Sequence, residues 1–245
     1  MITFLSGGKL GDFIHSLYVV KNLCEQQGKQ AIIYLGGGDE WTLGVDRAYA
    51  DLILLVMYQP YVYSFQLYNG QSIDINLNSW RDAVATTHAE TGVYDKCWSE
   101  LLNSEYNIDP PDEYKWLTVP SNDKVTKNNT TVHVSLRHEC GLDIENYLGD
   151  NAVFVTSNNA EWDAFPYKPR TRYYYRNSIR DIAKAINSSK FFIGNQSALF
   201  AIASALDVPR IVGLNPDPSP FYMGEGKYSD NISWYLNDEL NYIKL

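Results

Sequence analysis

The 245-residue chain lacks the marks of several large functional classes. It has three cysteines, Cys24, Cys97 and Cys140, and their spacing fits neither a disulfide framework nor a zinc site. A reducing compartment, the cytoplasm, is therefore expected. No apolar run approaches the length of a membrane span, and Met1-Ile2-Thr3-Phe4-Leu5 has neither the basic flank nor the length of a signal peptide. Basic residues are outnumbered, with 20 Lys and Arg against 29 Asp and Glu and a formal charge of -9. Such a balance disfavours nucleic acid or an anionic membrane as partner. No Gly-Lys-Ser/Thr closes a glycine loop, which excludes a Walker phosphate loop, and no Gly-x-Ser-x-Gly elbow occurs.

Present instead is a high aromatic load, with 19 Tyr and 6 Trp, suited to core packing or to a ring-binding surface. At the start stands Ser6-Gly7-Gly8-Lys9-Leu10-Gly11-Asp12-Phe13-Ile14-His15-Ser16-Leu17. Apolar residues 2–5 precede it, and Phe13, Ile14, Leu17, Val20, Leu23 and Cys24 follow at helical spacing. The pattern is strand, glycine-rich turn, helix. Such a turn aims unpaired N–H groups and the positive helix end at an anion. Gly8, Lys9, Gly11 and His15 are candidates for an acceptor or phosphate loop. Asp12, at the loop-to-helix junction, is a candidate general base. The plainer reading makes Asp12 an N-cap and the glycines turn formers.

The chain continues with a second strand, Ala31–Leu35, closed by glycines 36–38. Two strand-like runs, 61–67 and 72–77, flank Asn69-Gly70, a hairpin signal. Residues 95–106 read as a helix. The polar stretch 119–130 reads as an interdomain linker. A second alternation follows, with strands at 132–136, 152–156, 191–193 and 210–214 and helices from Ser178 to Asn187 and from 198 to 206. Residues 231–245 read as an amphipathic helix, a candidate to pack back on the N-terminal half. The expected architecture is α/β, with Rossmann-like domains at 1–118 and 131–230 facing a cleft.

The second constellation is Gly194-Asn195-Gln196-Ser197-Ala198 and the helix after it. Ser197 is a natural N-cap, so the following N–H groups form a second anion site at a strand end. A well-capped core helix is the alternative. Together the two stretches resemble the heptosyltransferases, glycosyltransferase family nine, of the GT-B fold. That family opens with G-D-x-(I/L)-H-(S/T)-L, which Gly11 to Leu17 match. Its later G-N-D-(S/T)-G segment, followed by His and A-x-A-L, is matched in frame by Gly194 to Ser197 and Ala203 to Leu206. Gln196 stands where the family has Asp, Ala198 where it has Gly, and Ala201 where it has His.

The resemblance implies inverting, metal-independent glycosyl transfer from a nucleotide diphosphate sugar to a glycan-like hydroxyl acceptor, with no bound cofactor. Asp12 would be the base, and Asn195, Gln196, Ser197 and Ala198 would bind donor. Arg137, directly after the strand at 132–136, is the candidate phosphate cation, and Glu161 the candidate ribose ligand; both also read as surface residues. His88 and His133 read as partly buried helix histidines. The nearest Asp-x-Asp, Asp74-Ile75-Asn76, lies in a strand-like run, and no metal site is expected. Two other readings stand. One is a catalytically silent nucleotide- or sugar-binding protein on the same fold, given Gln196 and Ala201. The other is a nicotinamide-dependent oxidoreductase, given Ser6-x-Gly8-x-x-Gly11, although glycines rather than an acid close the second strand.

Overall fold

The computed structural model describes residues 1–37, 41–78, 98–136, 144–214, 233–236 and 239–242. The first strand, β1 (Ile2–Ser6), leads through residues 7–9 into α1 (Leu10–Gln27). Gly28, at φ 62°, ends α1, and Lys29 N–H reaches back to the Cys24 carbonyl at 2.9 Å. Glycine holds this left-handed position at no steric cost. Next come β2 (Ala31–Leu35), α2 (Val45–Val56), β3 (Val62–Leu67), β4 (Ile75–Asn76) and α3 (Trp98–Tyr106). The four strands form a parallel sheet in the order β3-β2-β1-β4.

The second sheet begins with β5 (Thr130–His133) and β6 (Ala152–Thr156), followed by α4 (Asn159–Ala164) and β7 (Thr171–Tyr175). Then come α5 (Ile179–Ser188), β8 (Phe191–Asn195), α6 (Ala198–Ala205), β9 (Arg210–Leu214), β10 (Ser233–Leu236) and β11 (Glu239–Tyr242). Its order is β11-β10-β9-β8-β5-β6-β7, parallel except for the β10–β11 pair. No described helix is long and apolar enough to cross a membrane. Cys24 is buried, and burial pushes its thiol up to about 11, so it stays protonated.

Four sequence expectations are corrected. The runs flanking Asn69-Gly70 do not pair with each other, because β3 joins β2 and β4 joins the far side of β1. Asp74 anchors that crossing: one carboxylate oxygen accepts both the N–H and the hydroxyl of Thr3, each at 2.8 Å. The helix expected over 231–245 is instead the β10–β11 hairpin over its described residues. The 132–136 strand stops at His133, leaving Leu136 57% exposed. And β7, Thr-Arg-Tyr-Tyr-Tyr, went unread despite its β-forming composition.

One apolar cluster draws residues from both sheets, and a second, with Val132, Phe154 and Ile193, belongs to the second sheet alone. Helices α1 and α6 pack directly together; a Cβ built on Gly11 would lie 3.7 Å from the Ala198 Cα. A buried strap reinforces this contact. The Trp116 indole donates to the Ile14 carbonyl in α1 at 2.7 Å. The N–H groups of Trp116 and Leu117 both donate to the Ala205 carbonyl at the end of α6, at 3.0 and 2.9 Å. The Tyr61 hydroxyl donates to the Trp116 carbonyl at 2.8 Å. The connection at 119–130 is equally well tied. Val119 and Thr126 are buried, and Asn187 in α5 donates to the Val119 carbonyl at 2.7 Å. Trp116→Ala should cost about 3–5 kcal/mol of stability, from a large cavity plus the lost indole bond to the Ile14 carbonyl. Denaturant unfolding measures this, and a loss below about 1 kcal/mol would show that the strap is dispensable.

Candidate functional site

The carboxyl ends of β1, β5, β6 and β8 open onto one cleft of about 440 Å3, within the usual size of a ligand site. Lys9, Gly11, Asp12 and His15 line it from the first half. Glu161, Gln196, Ser197 and Ala198 line it from the second. Residues drawn from both expected motifs, 180 or so positions apart in sequence, therefore meet at one place.

On the β1 side, helix α1 starts at Leu10, and the cap position is Lys9, whose side chain makes no cap bond. Asp12 is thus not the N-cap. It sits in the first turn, where the helix dipole favours a carboxylate. Only Gly8 of the loop takes a positive φ, 82°. It shapes the turn and does not line the cleft. Gly7 is required by crowding, since a Cβ there would fall 2.5 Å from the Gly36 carbonyl oxygen. Gly11 is helical, and a Cβ there would make only ordinary contact with the α6 backbone, 3.7 Å from the Ala198 Cα. The face of α1 that carries Asp12, His15, Ser16 and Val19 at helical spacing divides. Asp12 and His15 reach the cleft, whereas Ser16 is buried with its hydroxyl 2.7 Å from that of Ser6, and Val19 is in the core. The His15 ring is itself buried and lies 6.3 Å from the Trp116 ring.

On the β8 side, Ser197 caps α6, its hydroxyl accepting the Phe200 N–H at 3.3 Å. The N–H groups of Ala198 and Leu199 precede the first intrahelical bond and stand at the cleft wall. Gln196 lines the cleft and is 8% exposed. Asn195 does not line it. It is fully buried, and its amide makes two bonds to one residue of the adjoining loop, accepting the Ser135 N–H at 2.9 Å and donating to the Ser135 carbonyl at 2.8 Å. Gly194 permits this close approach, for a Cβ there would fall 2.5 Å from the His133 carbonyl oxygen. Asn195 is thus a positioning residue, setting Ser135 at the rim. Arg137, His88, Cys97 and Cys140 lie outside the described residues.

His133 closes β5 and lines the cleft, a strand-end residue rather than a helical one. Its Nδ1 lies 3.0 Å from the Val155 carbonyl oxygen, which can only accept, so the proton belongs on Nδ1. Burial lowers its pKa to about 4. At neutral pH the ring is uncharged, and the 4.0 Å approach of Nδ1 to Glu161 is not an ion pair. Burial raises the Glu161 pKa, opposed by the Thr156 hydroxyl, which donates to its carboxylate at 2.5 Å. Asn158 caps the short helix α4 that presents Glu161, its side chain accepting the Ala160 N–H at 3.1 Å.

Ser135, Ser157 and Asn158 also line the cleft and were not singled out from sequence. The signal for them existed. Each lies within two residues of the end of a strand of the parallel sheet, the position where open α/β sheets bind ligands. Ile179, Leu199 and Phe200 supply apolar wall. Among the described residues no group of three His, Cys, Asp or Glu side chains is placed to hold a metal ion.

No family model and no curated protein sequence matches this chain. Solved structures do. The chain is similar to E. coli heptosyltransferase WaaC with ADP, at TM-score 0.62 and 10% identity, covering 97% of this chain and 94% of that one. It is similar to the glycosyl transferase family 9 protein from Veillonella parvula DSM 2008, at TM-score 0.58 and 12% identity, covering 96% and 86%. It is also similar to E. coli ADP-heptose lps heptosyltransferase II, at TM-score 0.56 and 14% identity, covering 96% and 90%. The fold is that of the GT-B glycosyltransferases.

Two predictions follow from this geometry. Because the folded state depresses the His133 pKa, His133 stabilises the fold fully above its unfolded value of about 6.5. This contribution is lost as pH falls toward about 4. Unfolding free energy should therefore drop over that window by on the order of 3 kcal/mol, and His133→Gln should flatten the drop. Asn195→Ala should cost about 1–3 kcal/mol by stranding the Ser135 backbone groups. Asn195→Asp should recover little, because a carboxylate cannot donate to the Ser135 carbonyl; near-native stability of Asn195→Asp would refute the two-bond account.

Proposed function

We propose that this protein is a glycosyltransferase that moves a sugar from a nucleoside diphosphate donor to a hydroxyl of a glycan-like acceptor. One observation carries the reading. Asp12 in the first turn of α1 and the free N-terminal turn of α6 face the same cleft from opposite halves of the molecule. An acceptor hydroxyl beside Asp12 would lose its proton as it attacks the anomeric carbon, a contribution of about 10²–10⁴ in rate. The bond from that carbon to the donor phosphate breaks, and the leaving diphosphate gathers charge. The Ala198 and Leu199 amides, the dipole of α6 and Lys9 lie where they can stabilise it. Arg137 is the proposed further cation. Glu161, held by Thr156, is suited to accept from a ribose hydroxyl. A single displacement by this route inverts the anomeric centre and asks for neither a metal nor a bound cofactor. The GT-B fold, and neighbours whose structures contain ADP or an ADP-sugar analogue, support the donor class.

A second reading, a silent binding protein, is favoured by Gln196 and by Ala201, which is fully buried where the resembling family places His. Thermal shift against ADP-, UDP-, GDP-, CMP- and dTDP-sugars, with NAD and NADP alongside, followed by turnover assays, separates the readings. One nucleotide sugar should stabilise the protein by roughly 2.7 kcal/mol at a hundred times its Kd. Asp12→Asn should keep that shift and lose at least about a hundredfold in transfer. Binding without turnover would establish the silent reading, and a shift with NAD alone would overturn both.

A further inference from the structure

A second cavity, of about 660 Å3, shares no lining residue with the cleft. It lies where the carboxyl end of β7 meets α5 and the 122–124 segment. In a chain of net charge -9, its walls carry three cations, Lys124, Arg176 and Lys184, against two carboxylates, Asp123 and Asp181.

Those two carboxylates are largely engaged elsewhere. Asp123 accepts from the Val125 N–H, the Thr126 N–H and hydroxyl, and the Tyr174 hydroxyl. It serves the fold of its own turn and the seat of β7. Asp181 is paired with Lys184 at 2.9 Å. Arg176 is placed but not consumed. Its guanidinium carbon stands 3.6 Å from the centroid of the Tyr174 ring, and Nη1 donates to the Tyr175 carbonyl at 3.0 Å. Its Nη2 forms an ion pair with Asp123 at 3.8 Å, too long for a hydrogen bond, so its N–H groups there remain available. Among the described residues Lys124 makes no ion pair. A guanidinium already stacked and oriented loses little freedom on binding an anion, and its planar fork matches two oxygens at once. Beside it the Tyr175 ring is 44% exposed, and Asn122 and Asn177 offer amides at the same wall.

We propose that this cavity binds an anionic saccharide, a sugar ring bearing a carboxylate or a phosphate. The anion would sit on Arg176 and Lys124, the ring would lie against Tyr175, and its hydroxyls would meet the asparagine amides. The site stands independently of the chemistry assigned to the cleft.

Calorimetric titration of the full chain with glucuronate, glucose 6-phosphate, inorganic phosphate and glucose tests it. Both charged sugars should bind more tightly than phosphate or glucose, and added salt should weaken them. Arg176→Gln should reduce that affinity about tenfold or more. Lys124→Gln, which leaves the Arg176 seat intact, should reduce it about threefold, guarding against a folding defect as the cause. Phosphate binding as tightly as glucose 6-phosphate would overturn the saccharide assignment. Equal binding of glucose would overturn the anion assignment. No binding by any probe, or unchanged affinity in both variants, would overturn the site.

Discussion

The direct packing of α1 on α6 is the constraint on which the cleft depends. Both helices begin at the carboxyl ends of strands, β1 and β8, and both present positive N-terminal turns to the one cleft. A Cβ on Gly11 would stand 3.7 Å from the Ala198 Cα, so the two first turns meet at ordinary van der Waals distance. The Trp116 strap bonds to Ile14 in α1 and to Ala205 in α6, so it clamps both helices at once.

Polar residues near the cleft divide into those that face it and those that hold it. Asn195 and Ser16 are buried and spend their bonds on neighbouring backbone or hydroxyl groups. Asp12, Gln196 and Ser197 reach the space itself. The His133–Thr156–Glu161 group lies between these extremes. The neutral ring and the hydroxyl-bonded carboxylate keep charge low in a nearly dry corner, where two bare ions would carry a large desolvation cost.

The opening loop and the Gly194–Ala198 segment were readable because their residues act locally. A strand, a turn and a capped helix within about twenty residues leave a signature that periodicity and cap preferences reveal. The hairpin reading failed for a different reason. Asn69-Gly70 carries a sound turn signal, yet β4 gains more by extending β1, where Asp74 finds two donors on Thr3. Local turn preference is worth little against a strand partner with a satisfied carboxylate.

The sequence by itself determined the α/β alternation, the two glycine-marked strand ends and the identity of half the residues that line the cleft, because hydrophobic period and helix caps are short-range properties. Only the tertiary structure decided that Asn195 is a support, that Ser135, Ser157 and His133 belong to the cleft, and that the segment thought to be a linker is bonded onto the second half. Those outcomes rest on contacts between residues about 20–190 positions apart in the chain, and the partner of a buried amide or ring is chosen by packing, which no local pattern encodes.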